Sequence, residues 1–362
     1  MKCCPECFKD QKARGLVSSF AVEDAGICDL CGRSGGRLLP VEPESDLSDP
    51  LQAMLGVFSK GDCGGGTLYD VFCETWDLFQ GVTEEAFLKF LEALFPEDER
   101  IGGLMSGPVR LDPSPDLDNP FALSFFGGRD WNEFSETIKH ENRYMAKIEN
   151  KDVLKSLFCA LAREVEPDQG TWFRARLWNG GSVEDIKEEK LKEAPRDKAV
   201  EGRMSPRGIS CLYISDSVEG AMAEIRASRH DEVAVMEMRP KEPLRILDLS
   251  RIDEISPFDE NVDCGSLASN KVNLLQMKDA LTKPMRSTDD KIEYVPTQFI
   301  AEFARLAEFD GIGYNSVLHE KDGRPSYNIA SFVLFDDAFE RVSMRLYRVS
   351  KSDLTAELAY EA

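Results

Sequence analysis

Three side chains with the chemistry to bind and process a small anionic ligand lie within residues 202–226. Arg203 can pair bidentately with phosphate oxygens, Tyr213 can stack against a flat base, and Glu224 can stabilise developing positive charge. A buried glutamate often pairs with a structural partner instead of acting on a ligand. A salt bridge between Arg203 and Glu224 that only braces the fold is therefore the structural alternative.

The elements around these residues would bring them together. Serine, proline, arginine and glycine at 205–208 predict a turn directly after Arg203. Residues 209–214 predict a buried strand that carries Tyr213. The apolar spacing that follows predicts a helix over 217–227, capped by Asp216 or Ser217, with Glu224 beside its apolar face. A carboxylate in that position is costly unless it has a role.

The C-terminal half of the chain resembles the RES family, which is named for an arginine, a glutamate and a serine that share one pocket. Six blocks in the family's order carry the resemblance: TWFRARLWNGG, EAPRDKAVEGRMSPRGISCLYIS, GAMAEIR, LRILDLS, YVPTQFIAEFARLAEFDGIGYNS and FVLFDD. They put Arg203, Glu224 and Ser316 at the name-giving positions and Tyr213 at the pocket tyrosine. The chain departs from the family at Ser205, where asparagine is common.

This resemblance implies a fold related to ADP-ribosyltransferases and an enzyme that consumes NAD. Such an enzyme cleaves the nicotinamide–ribose bond with phosphate or water as acceptor, as an NAD phosphorylase or NAD glycohydrolase. The implied setting is a bacterial toxin or defence effector with an antitoxin or regulatory protein as its partner. Protein ADP-ribosylation is one alternative, and a non-catalytic zinc-bearing interaction module is another.

The resemblance also assigns roles within the pocket. Arg203, Tyr213, Glu224 and Ser316 would act on the substrate, with Ser316 orienting a ribose hydroxyl or a phosphate nucleophile. Arg174 and Arg176 of the FRAR motif share one face of the predicted strand 172–177. Together with Gln298 they are the expected NAD-binding residues.

Composition excludes several other classes of protein. A formal net charge of -22 argues against broad contact with nucleic acid, which requires clustered cations. No run of eighteen apolar residues and no secretory segment is found, so a cytoplasmic protein is expected. Neither a G-x-G-x-x-G turn nor a P-loop motif occurs, so NAD would be a substrate and not a recycled carrier. Nothing in the sequence sets the oligomeric state.

Two Cys-x-x-Cys pairs near the N-terminus predict a structural zinc site. Cys4 and Cys7 form one pair and Cys28 and Cys31 the other, a spacing that suits four thiolates around one ion. Disulfides and unligated thiols are the alternatives. Cys3 is adjacent, but ligation through Cys3 would break the two-residue spacing. With four protein ligands, such a zinc would have no open position for catalysis.

The expected fold class is α+β, with a mixed α/β RES domain preceded by a zinc knuckle and a mostly helical domain. The expected domains are 1–40, 41–164 and 165–362. The helical part resembles the HEPN-related domain of some RES proteins through CPECF, CDLCG and IKHENRY, but His140 lacks the arginine expected four to six residues earlier, so nuclease activity is not expected.

Apolar periodicity predicts the individual elements. In the N-terminal part it indicates helices over 51–58, 68–79, 84–95, 131–148 and 151–165, with a long loop over 101–118. In the C-terminal part it indicates strands over 172–177, 209–214, 232–238, 245–248, 311–315 and 330–335, with helices over 217–227, 274–281 and 294–308.

Overall fold

The computed structural model describes residues 1–43, 45–61, 65–112, 123–180, 185–259, 261–283 and 290–350. The chain forms two compact units. The first comprises Met1–Thr137, Asn142–Leu161 and Arg251–Gln276, and the second comprises Ile138–Glu141, Ala162–Ser250 and Met277–Ala362. The predicted division into three domains stays a prediction. Among the described residues, no helix is both long and apolar enough to cross a lipid bilayer.

The first unit begins with a small antiparallel sheet that carries the cysteine pairs. Its strand order is β1-β3-β2, with β1 at Lys2–Cys3, β2 at Val22–Glu23 and β3 at Arg37–Pro40. Phe8, directly after Cys7, is fully buried and packs 5.1 Å from the ring of Phe79 and 6.3 Å from that of Phe90. The cysteine-bearing segment therefore shares an aromatic core with the helices that follow it.

The described residues of the N-terminal region form six α-helices, which confirms the expectation of a mostly helical region: α1 (Gln11–Phe20), α2 (Ser48–Gly56), α3 (Glu84–Leu94), α4 (Glu99–Met105), α5 (Trp131–His140) and α6 (Lys151–Ala160). Caps account for several of the starts. The Thr83 side chain accepts from Ala86 at the start of α3, and that of Asn150 accepts from Val153 at the start of α6.

Two predictions for this unit need correction. Within 68–79 the structure has a π-helical turn at Asp70–Thr75. Within 101–118 it has α4, capped by Asp98, and strand β5 (Val109–Leu111), which pairs with β4 (Phe58–Lys60). The loop prediction followed the glycines of this region, but the Asp98 cap allows a helix through them. Residues 113–118 lie outside the described residues.

An eight-stranded mixed sheet forms the second unit, in the order β13-β9-β7-β8-β12-β11-β10-β6. Neighbours are antiparallel except for β10 and β11, which are parallel. The strands are β6 (Ala162–Val165), β7 (Trp172–Leu177), β8 (Leu212–Ser215), β9 (Glu232–Pro240), β10 (Leu244–Asp248), β11 (Gly311–Lys321), β12 (Arg324–Ser331) and β13 (Phe339–Arg348).

Four helices contribute to the second unit within the described residues. They are α7 (Val218–Glu224), α8 (Cys264–Thr282, of which residues from Met277 belong to this unit), α9 (Val295–Leu306) and α10 (Phe335–Ala338). Ala221 of α7 packs with Val233 and Val235 of β9 on one face. A larger apolar cluster that includes Met236 and Met238 fills the other. The mixed α/β prediction for the C-terminal half is confirmed.

Two strands of this sheet were not predicted. Residues 151–165 were expected to form one helix, but α6 ends at Ala160 and β6 follows on the edge of the sheet, paired with β10. Strand β13 pairs with β9 along its length, although polar and apolar residues alternate only weakly along β13. The strand expected over 330–335 is displaced, because β12 ends at Ser331 and α10 begins at Phe335.

Candidate active site and metal centre

A cleft of about 450 Å³ opens in the second unit, and most of the predicted pocket residues line it. These are Arg174, Arg203, Tyr213, Glu224 and Ser316. They come from β7, from the turn before β8, from β8, from the end of α7 and from β11. The cleft therefore joins residues that lie more than a hundred positions apart in the sequence.

Helix α7 places Glu224 at the cleft. Of the two predicted caps the structure uses Ser217, whose hydroxyl accepts a hydrogen bond from the Gly220 amide at 3.1 Å. The helix ends at Glu224, and two residues later Arg226 adopts a φ of 54° that turns the chain away. The short helix thus delivers its last side chain to the cleft.

The Glu224 carboxylate is held by two donors on one of its oxygens. The Ser316 hydroxyl donates to Oε1 at 3.1 Å, and the Asn328 amide donates to the same atom at 2.8 Å. Glu224 is open to solvent through the cleft, yet the surrounding protein partly desolvates it and raises its pKa. The two hydrogen bonds and the positive charge of Arg203 oppose that rise.

A bulge in β11 aims Ser316 at this carboxylate. Pairing with β12 continues to Asn315 and resumes only at Glu320, which leaves 316–319 outside the ladder. The Leu318 amide donates to Ser316 Oγ at 3.2 Å, so the hydroxyl proton is directed to Glu224. Bulges commonly redirect a side chain in this way.

The Arg203 guanidinium contacts the C-terminal end of α8. One terminal nitrogen donates to the Leu281 carbonyl at 2.5 Å and the other to the Lys283 carbonyl at 2.7 Å. These carbonyls are among those that a helix end leaves without partners. Within the described part of the chain, Arg203 and Glu224 form no direct ion pair, so Arg203 acts on the carboxylate through its field.

Tyr213 closes the turn that carries Arg203. Its hydroxyl accepts from the Met204 amide at 3.1 Å and lies 3.4 Å from the Ser205 hydroxyl. Ser205, the residue that departs from the family pattern, is buried and makes this contact with Tyr213. A Cβ at Gly202 would lie 3.0 Å from the Tyr213 hydroxyl, which explains the glycine. Desolvation raises the pKa of Tyr213.

Gln298 of α9 holds the same turn through a hydrogen bond. Its amide donates to the Gly202 carbonyl at 2.9 Å, and Gln298 is buried in α9. It is absent from the lining of the cleft. Its contact with NAD, expected from the resemblance, stays a prediction, and its contact in the structure is with the turn.

The two arginines of β7 lie in different clefts. Arg174 donates to the Tyr213 carbonyl at 3.0 Å and lines the 450 Å³ cleft, while its Nε finds no hydrogen-bond partner among the described residues. Burial lowers the pKa of Arg174. Arg176 donates to the Lys190 carbonyl at 2.7 Å and lines a second cleft of about 330 Å³ beside Trp178. The strand face that they share does not give them one site.

Several residues of the site were missed in the sequence. Tyr314 lines the cleft, and its distance of two residues from Ser316 on one strand was a usable signal. Asn328 touches Glu224 from β12 and had no local signal. The wall formed by Leu281 and Thr282 had none either, because their position depends on where α8 ends.

Residues 181–355 match the model of the RES domain family. The chain carries a RES domain. Arg203, Glu224 and Ser316, which the resemblance predicts to share one pocket, line one cleft in this structure.

One solved structure shows a weak likeness to this chain. A chain in the crystal structure of the M. tuberculosis MbcT–MbcA toxin–antitoxin complex is 12% identical, with a TM-score of 0.30; the match covers 54% of this chain and 92% of that chain. No curated protein is similar enough to count as a relative.

Outside the RES domain, the predicted cysteines form a candidate metal centre. The Sγ atoms of Cys4, Cys7, Cys28 and Cys31 all lie within 4.8 Å of one another. The separations are 3.6 Å for Cys4–Cys7, 3.6 Å for Cys4–Cys31 and 3.4 Å for Cys7–Cys28. The Cys4 amide donates to the sulfur of Cys28 at 3.3 Å. Such a cluster fits a single metal ion, and Cys3 is not part of it.

Proposed function

We propose that this chain is an NAD-degrading enzyme that cleaves the nicotinamide–ribose bond, with phosphate or water as the acceptor. The observation that carries the proposal is the state of Glu224 in the RES cleft. Both donors reach Oε1, and no described residue donates to Oε2. One carboxylate oxygen thus stays available to a ligand in a cleft that also holds Arg203 and Arg174.

The cleft supplies what this reaction needs. As the bond between C1′ and nitrogen breaks, its electron pair leaves with nicotinamide and positive charge develops on the ribose. An ionised Glu224 stabilises that charge. An oxygen of phosphate or water then bonds to C1′, and water releases a proton as it does so. The residues of the cleft hold the ribose and exclude competing orientations.

Arg203 keeps donors for the substrate despite its contacts with α8. A guanidinium has five N–H groups, and only two of them are used by the carbonyls of Leu281 and Lys283. The remaining groups suit the pyrophosphate of NAD. Because the carbonyls fix the plane of the guanidinium, binding would require little further ordering.

The test is to incubate the purified protein with NAD, with and without phosphate, and to identify the products by mass spectrometry. A phosphorylase yields a phosphorylated ADP-ribose only when phosphate is present, and a glycohydrolase yields ADP-ribose in both cases. Transfer of label from NAD to protein would indicate an ADP-ribosyltransferase. NAD that stays intact in both buffers would overturn the proposal in favour of a non-catalytic module.

We further infer that the enzyme acts as a toxin on the cytoplasmic NAD pool and is restrained by an antitoxin or regulatory protein. The RES family match supports this setting. Induced expression of the full chain in bacteria should lower cellular NAD and arrest growth, and Glu224→Gln should do neither. Unchanged NAD and growth at high expression of the intact chain would contradict the toxin role.

We propose zinc as the metal of the cysteine centre. Zn–S bonds of about 2.3 Å place tetrahedral sulfurs about 3.8 Å apart, close to the 3.4 and 3.6 Å separations found here. Zinc bound by four cysteines leaves no position for a substrate, so the ion would stabilise the fold of the first unit and take no part in catalysis.

A further inference from the structure

Asn328 is a buried residue whose amide contacts Glu224. It is 1% exposed in the middle of β12, where it pairs with Ser215 of β8 and with Tyr314 of β11. Its Nδ2 donates to Glu224 Oε1 at 2.8 Å, the shorter of the two hydrogen bonds to that carboxylate. Asn328 itself is not among the residues that line the cleft. It therefore reaches the carboxylate from within the sheet, away from any ligand.

The other end of the amide gives the second observation. Asn328 Oδ1 is buried and has no hydrogen-bond partner within the described residues. A buried carbonyl without a partner is unfavourable, and an apolar side chain of the same shape would avoid it. Among the described residues, the hydrogen bond to Glu224 is the one that this side chain makes, and it accounts for an amide at this place in the core.

We propose that Asn328 is a positioning residue that holds the Glu224 carboxylate ionised and turns its Oε2 to the cleft. Ser316 and Asn328 together fix Oε1, so rotation of the carboxylate is restricted. Ser316 also lines the cleft and has a second role there, whereas Asn328 serves the carboxylate alone. The catalytic meaning of this inference rests on the proposed NAD cleavage; the effect on the carboxylate does not.

The charged and titratable groups around Glu224 determine how much the loss of Asn328 changes the pKa of Glu224. Arg203 and Arg226 favour the ionised form, and Tyr314 is a neutral phenol whose pKa burial and Glu224 hold far above its usual range. Arg174 of β7 and Tyr213 of β8 line the same cleft. None of these replaces the donor on Oε1, so its removal should raise the pKa of Glu224 further.

The first experiment measures NAD turnover as a function of pH for Asn328→Leu. Leucine keeps the branched shape but donates nothing. At a pH on the acidic limb, we expect kcat to fall about tenfold for each unit by which that limb moves upward, with KM little changed and activity regained at higher pH. The control is Ser331→Ala, which removes an equally buried hydroxyl of β12 that donates to the Val333 carbonyl. Its acidic limb should match that of the wild type. A limb that does not move in Asn328→Leu, or a loss that only follows a lower melting temperature, would overturn the inference.

The second experiment does not depend on turnover. The carboxyl carbons of glutamate are labelled with ¹³C, and the Glu224 signal, assigned through Glu224→Gln, is titrated in the wild type, Asn328→Leu and Asn328→Asp. The leucine variant should titrate at higher pH. In the aspartate variant, two neighbouring carboxyl groups should share two apparent ionisations. Identical titrations in all three proteins would refute the role of Asn328. Shifted titrations in proteins that leave NAD intact would support it and reject the proposed function.

Discussion

The candidate metal centre and the RES cleft differ in how their side chains are assembled. The four cysteines lie within residues 4–31 and come as two local pairs, whereas the cleft draws on residues from Arg174 to Leu318. A knuckle of four residues needs only its own turn to present two sulfurs. The carboxylate of Glu224 needs a helix end, a bulge in β11 and a side chain from β12. The local geometry of the cysteine pairs can be inferred from their spacing in the sequence, whereas the set of residues that forms the cleft cannot.

The two sites also differ in how completely their polar atoms are satisfied. With one metal ion bound, the four cysteine sulfurs would all be ligated. In the cleft and in the sheet behind it, buried polar atoms lack hydrogen-bond partners among the described residues, Arg174 Nε and Asn328 Oδ1 among them, and the Glu224 carboxylate has a raised pKa. Unsatisfied groups of this kind mark places where a fold gives up stability for a function.

Loss of one cysteine ligand should have the largest effect. Cys28→Ser is expected to release about one equivalent of zinc and to unfold the small sheet, because metal binding contributes directly to folding. The effect should spread to the aromatic core, since Phe8 packs against Phe79 and Phe90. Elemental analysis and hydrogen exchange would measure both, and protection in β7 to β9 should persist.

Cys3→Ala is the matched control for that prediction. Cys3 is fully buried beside the cluster but lies outside it, so this variant should retain its zinc. Intact protein without zinc, purified without chelators, would refute the metal centre. If Cys3→Ala lost its zinc and Cys4→Ala retained it, the ligand would be Cys3 and not Cys4.

Glu224→Gln should abolish most NAD turnover while the fold is kept. Gln can still accept from Ser316 and Asn328 but carries no charge to stabilise the ribose, so a loss on the order of a hundredfold or more in kcat is expected. Glu219→Gln on the exposed side of α7 is the control and should keep full activity. Equal activity of the two variants would remove Glu224 from the reaction.

Arg203→Lys should weaken substrate binding more than the chemical step. A lysine can neither bridge the carbonyls of Leu281 and Lys283 nor present a fork to a pyrophosphate. A rise of about tenfold in KM, about 1.4 kcal/mol of binding, is expected, with faster hydrogen exchange at the end of α8. Arg207→Lys, an exposed change in the same turn, should have neither effect. A normal KM with a loosened helix end would assign Arg203 to structure alone.

Sequence reasoning predicted the fold class and much of the sheet. Strand 172–177 was predicted at its observed bounds, because its alternation matches a strand with two differently packed faces. Strand β6 was missed because 162–165 continues the helical period of α6, and only pairing with β10 makes it a strand. Tertiary pairing decided that segment, and no local propensity reports it.

The candidate site was predictable only as far as motifs reached. Spacing alone indicated the cysteine cluster, and the resemblance indicated Arg203, Glu224 and Ser316. Neither indicated that Arg203 would hold the end of α8, because Leu281 lies far along the chain. Nor did they separate Arg174 from Arg176, whose clefts differ although both side chains follow the same strand period.

The smallest expected effect is a pH-dependent change in stability at Glu224. Its pKa in the folded protein is raised above the unfolded value of about 4.3. The folded state therefore favours the protonated form, and the contribution of this group to stability is present below the unfolded pKa and is lost as pH rises through the folded pKa. Glu224→Gln should thus melt at the wild-type temperature near pH 4 and above it near pH 8, by a small margin because the cleft is open to solvent.

Glu219→Gln is the control, and its difference in melting temperature from the wild type should not grow with pH. If Glu224→Gln instead melts lower than the wild type at pH 8, the ionised carboxylate stabilises the fold. That result would favour the bracing interaction with Arg203 and remove the contrast between a stabilising metal centre and a cleft held ready for substrate.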